Sequence, residues 1–299
     1  MKNKILFLLF LTTITLSAQP KVSFTFDDGS TANRPGYPFE QWNKMLLDNL
    51  DDADLKAVFF VTGRNKTNEK GKFLLKSWND KGHNIANHTF THPNYNNEKI
   101  SFEDFKKEII KTDKVIKKYD NYIKLFRFPY LKEGNTQAKV DSIRKFLIEQ
   151  DYKNGYVTID ASDWYVDSRL IKRLKENPKA DIEGFKKYYL DHLFEKAEYY
   201  EKISFQLTGR HIKHTLLLHH NLAAALFLDD LILHFKEKGW ELIDADDAFK
   251  DPIFDSKPKS AGESLIWSLA KDSDKLKHLI RYPAEDSQYE KAKMDKLGL

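Results

Sequence analysis

The chain has 299 residues, 41% of them hydrophobic and none cysteine, and a formal net charge of +4 from 49 Lys+Arg against 45 Asp+Glu. With no cysteine there is neither a disulfide nor a thiolate ligand, so a metal site must be built from His, Asp or Glu. The small, mixed charge gives no electrostatic case for nucleic acid, and no apolar run in the chain is long enough to span a bilayer.

The first 18 residues follow the layout of a secretory signal peptide, with Lys2 and Lys4 ahead of an apolar stretch and Leu16-Ser17-Ala18 as the cleavage site. Cleavage is expected after Ala18, which makes the mature protein exported, either periplasmic or secreted. Val22, Phe24 and Phe26 then alternate with Lys21, Ser23 and Thr25, a period of two that predicts a strand ending at Asp27-Asp28-Gly29. A helix is expected over 39–50 and a strand buried on both faces at 57–61. A further helix over 69–81 is stopped by Gly82, and a short strand follows at 83–89.

Ser101 with Asp104 resembles a capping box, and apolar residues from Phe102 to Tyr119 fall on one helical face. A strand at 125–128 stopped by Pro129, a helix over 136–149 and a strand at 156–159 come next. Residues 167–214 carry two or three helical patterns rich in Tyr and Lys. The most apolar strand is expected at 215–219, a helix over 222–238 closed by Gly239, and a last strand at 241–243. Strand alternates with helix about seven times, which implies parallel strands joined by crossover helices.

The expected fold class is α/β: a distorted (β/α) barrel of about seven mostly parallel strands surrounded by helices, with a helical C-terminal appendage. An open doubly wound sheet ranks second, and its dinucleotide-binding version lacks the Gly-rich turn after the first strand. The division expected is a signal peptide over 1–18, a catalytic domain over 19–250 with a helical insertion at 165–214, and a C-terminal extension over 251–299 packed on the domain. The insertion is expected to be either a lid or wall of the site or a solvated helical hairpin.

Polar residues recur where strands end: Asp27 and Asp28 after the first, His88 and His92 after the third, Arg127 before Pro129-Tyr130, Asp160, Asp163 and Trp164 after the fifth, and His219 ending the sixth. In β/α folds the loops at this rim converge into the active site. His88 and His92 at i and i+4 would share a helical turn as ligands of a divalent metal. Zn²⁺ is the first expectation, and Co²⁺ or Ni²⁺ also suit N/O donors. Trp42, Trp164, Tyr130 and Tyr165 are candidates for stacking on a sugar, while His83 is expected to be a hydrogen-bonded strand residue and His211 and His214 surface groups.

Thr25-Phe26-Asp27-Asp28-Gly29, His88-Thr-Phe-Thr-His92, Arg127-Phe-Pro-Tyr130, Asp160-Ala-Ser-Asp163-Trp164 and Leu217-Leu-His219 together resemble, in order, the five motifs of the polysaccharide deacetylases, carbohydrate esterase family 4. The resemblance covers about residues 21–245. It implies a metal bound by Asp28, His88 and His92, Asp27 as catalytic base, Arg127 positioning that base, and His219 as catalytic acid tuned by Asp160. It also implies that Trp164 and Leu217 line an acetyl pocket and that the Tyr130 backbone N–H helps to hold an oxyanion. His219-His220 leaves the acid open by one position, and strand alternation favours His219 because it shares a face with Leu217.

Three functions follow as alternatives. The leading one is removal of N-acetyl groups from an N-acetylglucosamine-containing glycan. The second is an esterase acting on O-acetyl groups of a xylan-type polysaccharide, and the third is a non-catalytic carbohydrate-binding relative, whose signature would be a missing ligand, base or acid. None of these residues is missing.

Overall fold

A computed structural model describes residues 19–281, 284 and 287–299; the expected signal peptide lies outside the described residues. Strands and helices alternate as β1 (Lys21–Asp28), α1 (Phe39–Asp52), β2 (Val58–Val61), α2 (Glu69–Asp80), β3 (Asn84–Asn87), α3 (Phe102–Ile116), β4 (Tyr122–Phe126), α4 (Gln137–Glu149) and β5 (Lys153–Asn154). They continue with α5 (Asp163–Glu176), α6 (Glu183–Thr208), β6 (Lys213–His219), α7 (Leu222–Glu237) and β7 (Glu241–Leu242). The tail adds α8 (Ala245–Ala248), α9 (Leu265–Asp272) and α10 (Gln288–Lys296).

The sheet is parallel throughout, in the order β5-β4-β3-β2-β1-β6. β1 pairs with β6 along nearly its whole length; on its other side it pairs with β2 over Thr25–Asp28 and with β7 at Lys21 and Val22. In this register Asp28, Val61, Asn87 and Phe126 lie in one row across four strands, and Asp27 faces His219 across the β1–β6 ladder. Every residue that follows those strand ends therefore emerges at one rim. The architecture is a distorted (β/α) barrel, as the sequence pattern predicts.

The alternation of β1 sorts its side chains between two buried layers. Phe24 and Phe26 face the helices, where Phe26 stacks on Phe59 at 5.0 Å and Phe59 on Trp78 at 4.2 Å. Ser23 and Thr25 face inward and donate to the His214 and Leu216 carbonyls at 3.1 and 3.0 Å. This satisfies hydroxyls that would otherwise be buried at a cost of roughly 1–3 kcal/mol each. The interior is thus polar on β1 and apolar on β2, where Val58 and Phe60 pack with Ala86 and Leu125.

The expected strand at 156–159 is not one. The named strand is Lys153–Asn154, and the residues after it make a single bridge, Ile159 with Leu216. Gly155 N–H donates to Phe126 O at 2.7 Å, while Thr158 and Ile159 N–H both reach Thr215 O at 3.2 and 3.0 Å. The segment crosses from β4 to β6 instead of running beside either, which closes the barrel through scattered bonds and makes it distorted.

The helical insertion is neither solvated nor a free lid. Phe185, Tyr189, Leu193, Ala197 and Tyr200 of α6 enter the main core together with Leu222 and Leu228 of α7. The tail joins the same core through Leu265, Ile266 and Met294, and Leu265 N–H donates to Val157 O at 2.7 Å.

A methyl group at Gly155 would lie 2.3 Å from the Phe60 ring. Gly155→Ala is expected to destabilise the fold by about 1–3 kcal/mol through overpacking, read as a lowered urea midpoint with an unchanged slope; an unchanged midpoint would refute the close packing at the crossing.

Candidate active site

The rim gathers the motif residues around one cavity of about 390 Å³, lined by Asp27, Asp28, His88, His92, Tyr130, Asp160, Trp164, Leu217 and His219 among others. One ligand atom from each of Asp28, His88 and His92 lies within 4.8 Å of the others. His92 Nε2 is 3.5 Å and His88 Nε2 3.9 Å from Asp28 Oδ1. His88 Nδ1 bonds to the Arg127 carbonyl at 2.8 Å; since a carbonyl only accepts, Nδ1 carries the proton and Nε2 keeps its lone pair for an ion. Burial and the neighbouring His88 push His92 down to about 4, so its imidazole is neutral at ordinary pH. Burial works against ionisation of Asp28, yet His219, His92, His88 and Lys66 hold its carboxyl below the usual range. A carboxylate and two imidazoles are a donor set that fits a divalent transition metal.

The two histidines do not sit on a helical turn. Residues 88–92 form a loop in which Thr89 and His92 have φ of 65° and 60°. Side chains replace the helical hydrogen bonds: Asn87 Oδ1 accepts from Thr89 N–H at 3.0 Å, and Glu108 Oε2 of α3 accepts from Phe90 and Thr91 N–H at 3.0 and 2.5 Å. Asp28, Tyr130 and Leu131 are also left-handed, so four strained non-glycine residues, Asp28, His92, Tyr130 and Leu131, line one cavity. Backbone strain of this kind collects at functional sites and costs of order 1–3 kcal/mol per residue.

Asp27 is buried and bound by Arg127, whose Nη1 donates to Asp27 Oδ1 at 2.7 Å and to Thr25 Oγ1 at 2.9 Å. Arg127 Nε donates to Gly155 O at 2.8 Å, and the guanidinium lies 3.8 Å from the Phe60 ring centroid. Asp27 Oδ2 lies 3.6 Å from His88 Nε2.

The carboxylate on His219 is Asp163, not Asp160. Asp163 Oδ1 bonds to His219 Nδ1 at 2.7 Å, and its Oδ2 accepts from His219 N–H at 2.8 Å and Asn221 Nδ2 at 3.1 Å. Asp160 follows Ile159, which pairs with Leu216, so it emerges short of the strand end; the chain then turns, and Asp163 opens α5 level with His219. The Asp160 charge bears on Arg127. Burial alone would lower His219, but Asp163, with Asp28 and Asp27 behind it, pushes it up to about 10.

His220 points the other way, its Nε2 3.0 Å from Asn43 Oδ1 and its ring 4.4 Å from Trp42. Trp42 is fully buried there and is no sugar platform. Tyr165 packs edge-on to Trp164. Tyr130 is 44% exposed, its ring 4.6 Å from His92, and no acceptor takes its backbone N–H among the described residues. Trp164 Nε1 and Ser162 Oγ both donate to Ala284 O, at 3.3 and 3.0 Å, which ties the tail to the cavity wall. His83 is hydrogen-bonded as expected, accepting from Ala57 N–H at 3.3 Å, but it is buried just before β3 and not within it. His214 is buried instead of exposed, its Nε2 2.8 Å from Glu201 Oε2, and His211 bonds to the same carboxylate.

Residues 17–146 match the family model described as polysaccharide deacetylase. The chain is 32% identical over 145 residues to a peptidoglycan-N-acetylglucosamine deacetylase of Bacillus cereus, a match covering 48% of this chain and 46% of the relative. It is 29% identical over 144 residues to a chitin deacetylase of Colletotrichum lindemuthianum, covering 45% and 54%. The chain thus spans about half the length of the curated relatives it matches. A solved family 4 pseudoenzyme of Bacillus anthracis shares the fold at a TM-score of 0.53 and 19% identity, over 78% of this chain and 66% of that one. Asp160, Trp164, Leu217 and His219 lie beyond the residues matched by the family model, and the fold brings them to the cavity, with Asp163 buried behind His219.

Because the folded His219 titrates above its ordinary value of 6.5, its pair with Asp163 contributes stability that is fully present below pH 6.5 and lost as pH rises through about 10. Asp163→Asn is expected to bring the His219 midpoint down in an NMR titration of the metal-free protein, and Asp160→Asn to move it much less. An unmoved midpoint in Asp163→Asn would assign the shift to Asp27 and Asp28.

Proposed function

Because the chain carries a polysaccharide deacetylase domain, we propose that it is an exported, metal-dependent hydrolase that removes N-acetyl groups from an N-acetylglucosamine-containing glycan. One observation carries this reading. A carboxylate held by a cation, Asp27 with Arg127, and an imidazole held by a carboxylate, His219 with Asp163, flank the Asp28, His88 and His92 set in a single cavity.

Asp28, His88 and His92 would hold the ion, with Zn²⁺ first and Co²⁺ or Ni²⁺ as alternatives. When bound there, a divalent ion polarises the scissile carbonyl and brings the pKa of water down toward about 7. Asp27 takes the proton of the attacking water; Arg127 occupies Oδ1 and leaves Oδ2 as the receiving atom. The Tyr130 N–H donates to the developing oxyanion, and donors of this kind are worth roughly 3–4 kcal/mol. His219 then gives its Nε2 proton to the departing amine, with Nδ1 kept on Asp163 so that the imidazolium persists at neutral pH. Trp164 and Leu217 supply the apolar walls against which an acetyl methyl packs.

N-acetyl is preferred to O-acetyl because an amine leaves only when protonated, and a paired, elevated imidazole supplies that proton. The two curated relatives are named peptidoglycan-N-acetylglucosamine deacetylase and chitin deacetylase, which supports a glycan of that kind. The signal-peptide pattern supports export; among the described residues no helix is long and apolar enough to cross a membrane. We assign the catalytic domain to residues 19–250 and the extension to 251–299.

Chelation is expected to abolish acetate release from N-acetylglucosamine oligomers, with recovery on adding Zn²⁺ or Co²⁺. Asp27→Asn and His219→Ala should lower kcat by about 10²–10⁴, and His219→Ala should spare acetyl-ester cleavage more than amide cleavage. Full activity after metal removal, or amide cleavage untouched in His219→Ala, would refute the mechanism. Glu108→Ala, which frees the backbone of the 88–92 loop, should weaken Zn²⁺ binding by about tenfold in a competition assay with a chromogenic chelator, with the far-ultraviolet circular dichroism unchanged. Unaltered affinity would show that the loop holds its shape without Glu108.

A further inference from the structure

A second cavity, about 440 Å³, adjoins the first, and the two share the wall formed by Asp28 and His92. Two cations from the β2–α2 loop line it. Lys66 is only 5% exposed, yet its ammonium donates to the Arg64 carbonyl at 3.3 Å and to no carboxylate among the described residues. The Arg64 guanidinium, exposed at the mouth, has no ion pair among the described residues either. Three other partly buried cations each hold a carboxylate, Lys132 with Glu263, Arg144 with Glu133 and Arg210 with Asp251, whereas Lys139 bonds to the Tyr95 and Asn97 carbonyls. A lysine this deeply buried is ordinarily paired, because an unpaired charge out of water is expensive.

The loop that carries these cations is locked. Gly63 and Arg64 N–H donate to the Thr89 and Phe90 carbonyls at 3.0 and 2.8 Å, which ties it to the loop bearing His88 and His92. A Cβ on Gly71 would lie 2.2 Å from the Asn65 carbonyl and 2.4 Å from Lys66 Cα, so the loop rests directly on the first turn of α2. Lys66 Cε in turn passes over Gly29, within 3.2 Å of where a Cβ would stand. Gly71 thus fixes the Lys66 backbone and Gly29 makes room for its stem, and the side chain lines the cavity. The one acidic group on this lining is Asp28, already committed to the ion. With that ion in place, Lys66 and Arg64 are the basic side chains that line the second cavity.

We propose that this cavity is a subsite for an oxyanion, a carboxylate or a phosphate, carried by the sugar next to the acetylated one. The inference rests on the deacetylase reading of the adjoining cavity and narrows its substrate to an acidic glycan. Lys66 acts as a buried point charge, and Arg64 closes over the anion as a two-pronged donor.

The test uses the Zn²⁺-loaded protein and four acetylated oligomers of equal length: a neutral N-acetylglucosamine tetramer, one with a neighbouring sugar oxidised to the C6 carboxylate, the methyl ester of that acid, and one phosphorylated at the same C6. The wild type should release acetate from an anionic oligomer with kcat/KM about tenfold above neutral, the size of one charge-assisted contact. Added salt should shrink the gap, and the methyl ester should behave as neutral. The carboxylate and phosphate arms show which oxyanion is preferred. Lys66→Met and Arg64→Gln should bring the anionic-to-neutral ratio to near one, and Lys66→Arg should retain it. Equal turnover of charged and neutral oligomers by the wild type would overturn the subsite. So would an equal loss on both in Lys66→Met, because Lys66 would then serve Asp28 alone. If no oligomer releases acetate, the deacetylase reading fails by itself; calorimetric binding then decides the subsite, and equal affinities for acid and neutral oligomers overturn it.

Discussion

The buried guanidinium of Arg127 is the contact on which the rest of the rim depends. Its Nη1 fixes Asp27, its Nε holds the Gly155 carbonyl where the chain crosses from β4 to β6, its face covers Phe60, and its own carbonyl sets the tautomer of His88. One residue therefore couples Asp27, a metal-ligand candidate and the closure of the barrel. A buried charge is tolerable only when it is paired. The bonds of Nη1 to Asp27 and of Nε to Gly155 require β1, β4 and the crossing segment to be in register together, while Nη2 has no hydrogen-bond partner among the described residues. The pair stabilises the fold less than it specifies it: removing either partner strands the other, at a cost of about 3–5 kcal/mol.

Much of this was legible in the chain. The alternation of Val22, Phe24 and Phe26, the apolar run before Gly63 and the apolar strand ending at His219 each mark a strand whose end carries polar side chains, and parallel pairing sends those ends to one rim. What escaped depended on contacts distant in sequence. Asp160 and Asp163 are equally acidic on paper; only the bridge of Ile159 to Leu216 decides that Asp163 comes level with His219. HxxxH spacing fits a helical turn, but Asn87 and Glu108 offer the backbone another set of acceptors, and the helix loses. Trp42 has the composition of a sugar platform, yet α1 turns it inward onto His220. Nothing in the chain distinguished Lys66 from its many cationic neighbours, because its distinction is its burial in a cavity wall beside Asp28.

The C-terminal residues, expected as an appendage, share the core with α6 and α7 and reach the cavity wall through the Ala284 carbonyl, which holds Ser162 and Trp164 just before and within the first turn of α5. The same short stretch delivers Asp163 to His219. The pairing of Asp163 with His219 thus draws on two parts of the chain more than a hundred residues apart.

The row formed by Asp28, Val61, Asn87 and Phe126 has a consequence for how such a protein can vary. Because side chains alternate along a strand, deleting one residue within β1 would exchange the inward and outward layers, sending Asp27 away from Arg127 and placing a phenylalanine in the polar interior. Length changes in the helical half of each unit leave that phase untouched. Insertions and deletions should therefore collect in the connecting helices and their distal turns, while the few residues leading up to each strand end keep a fixed count.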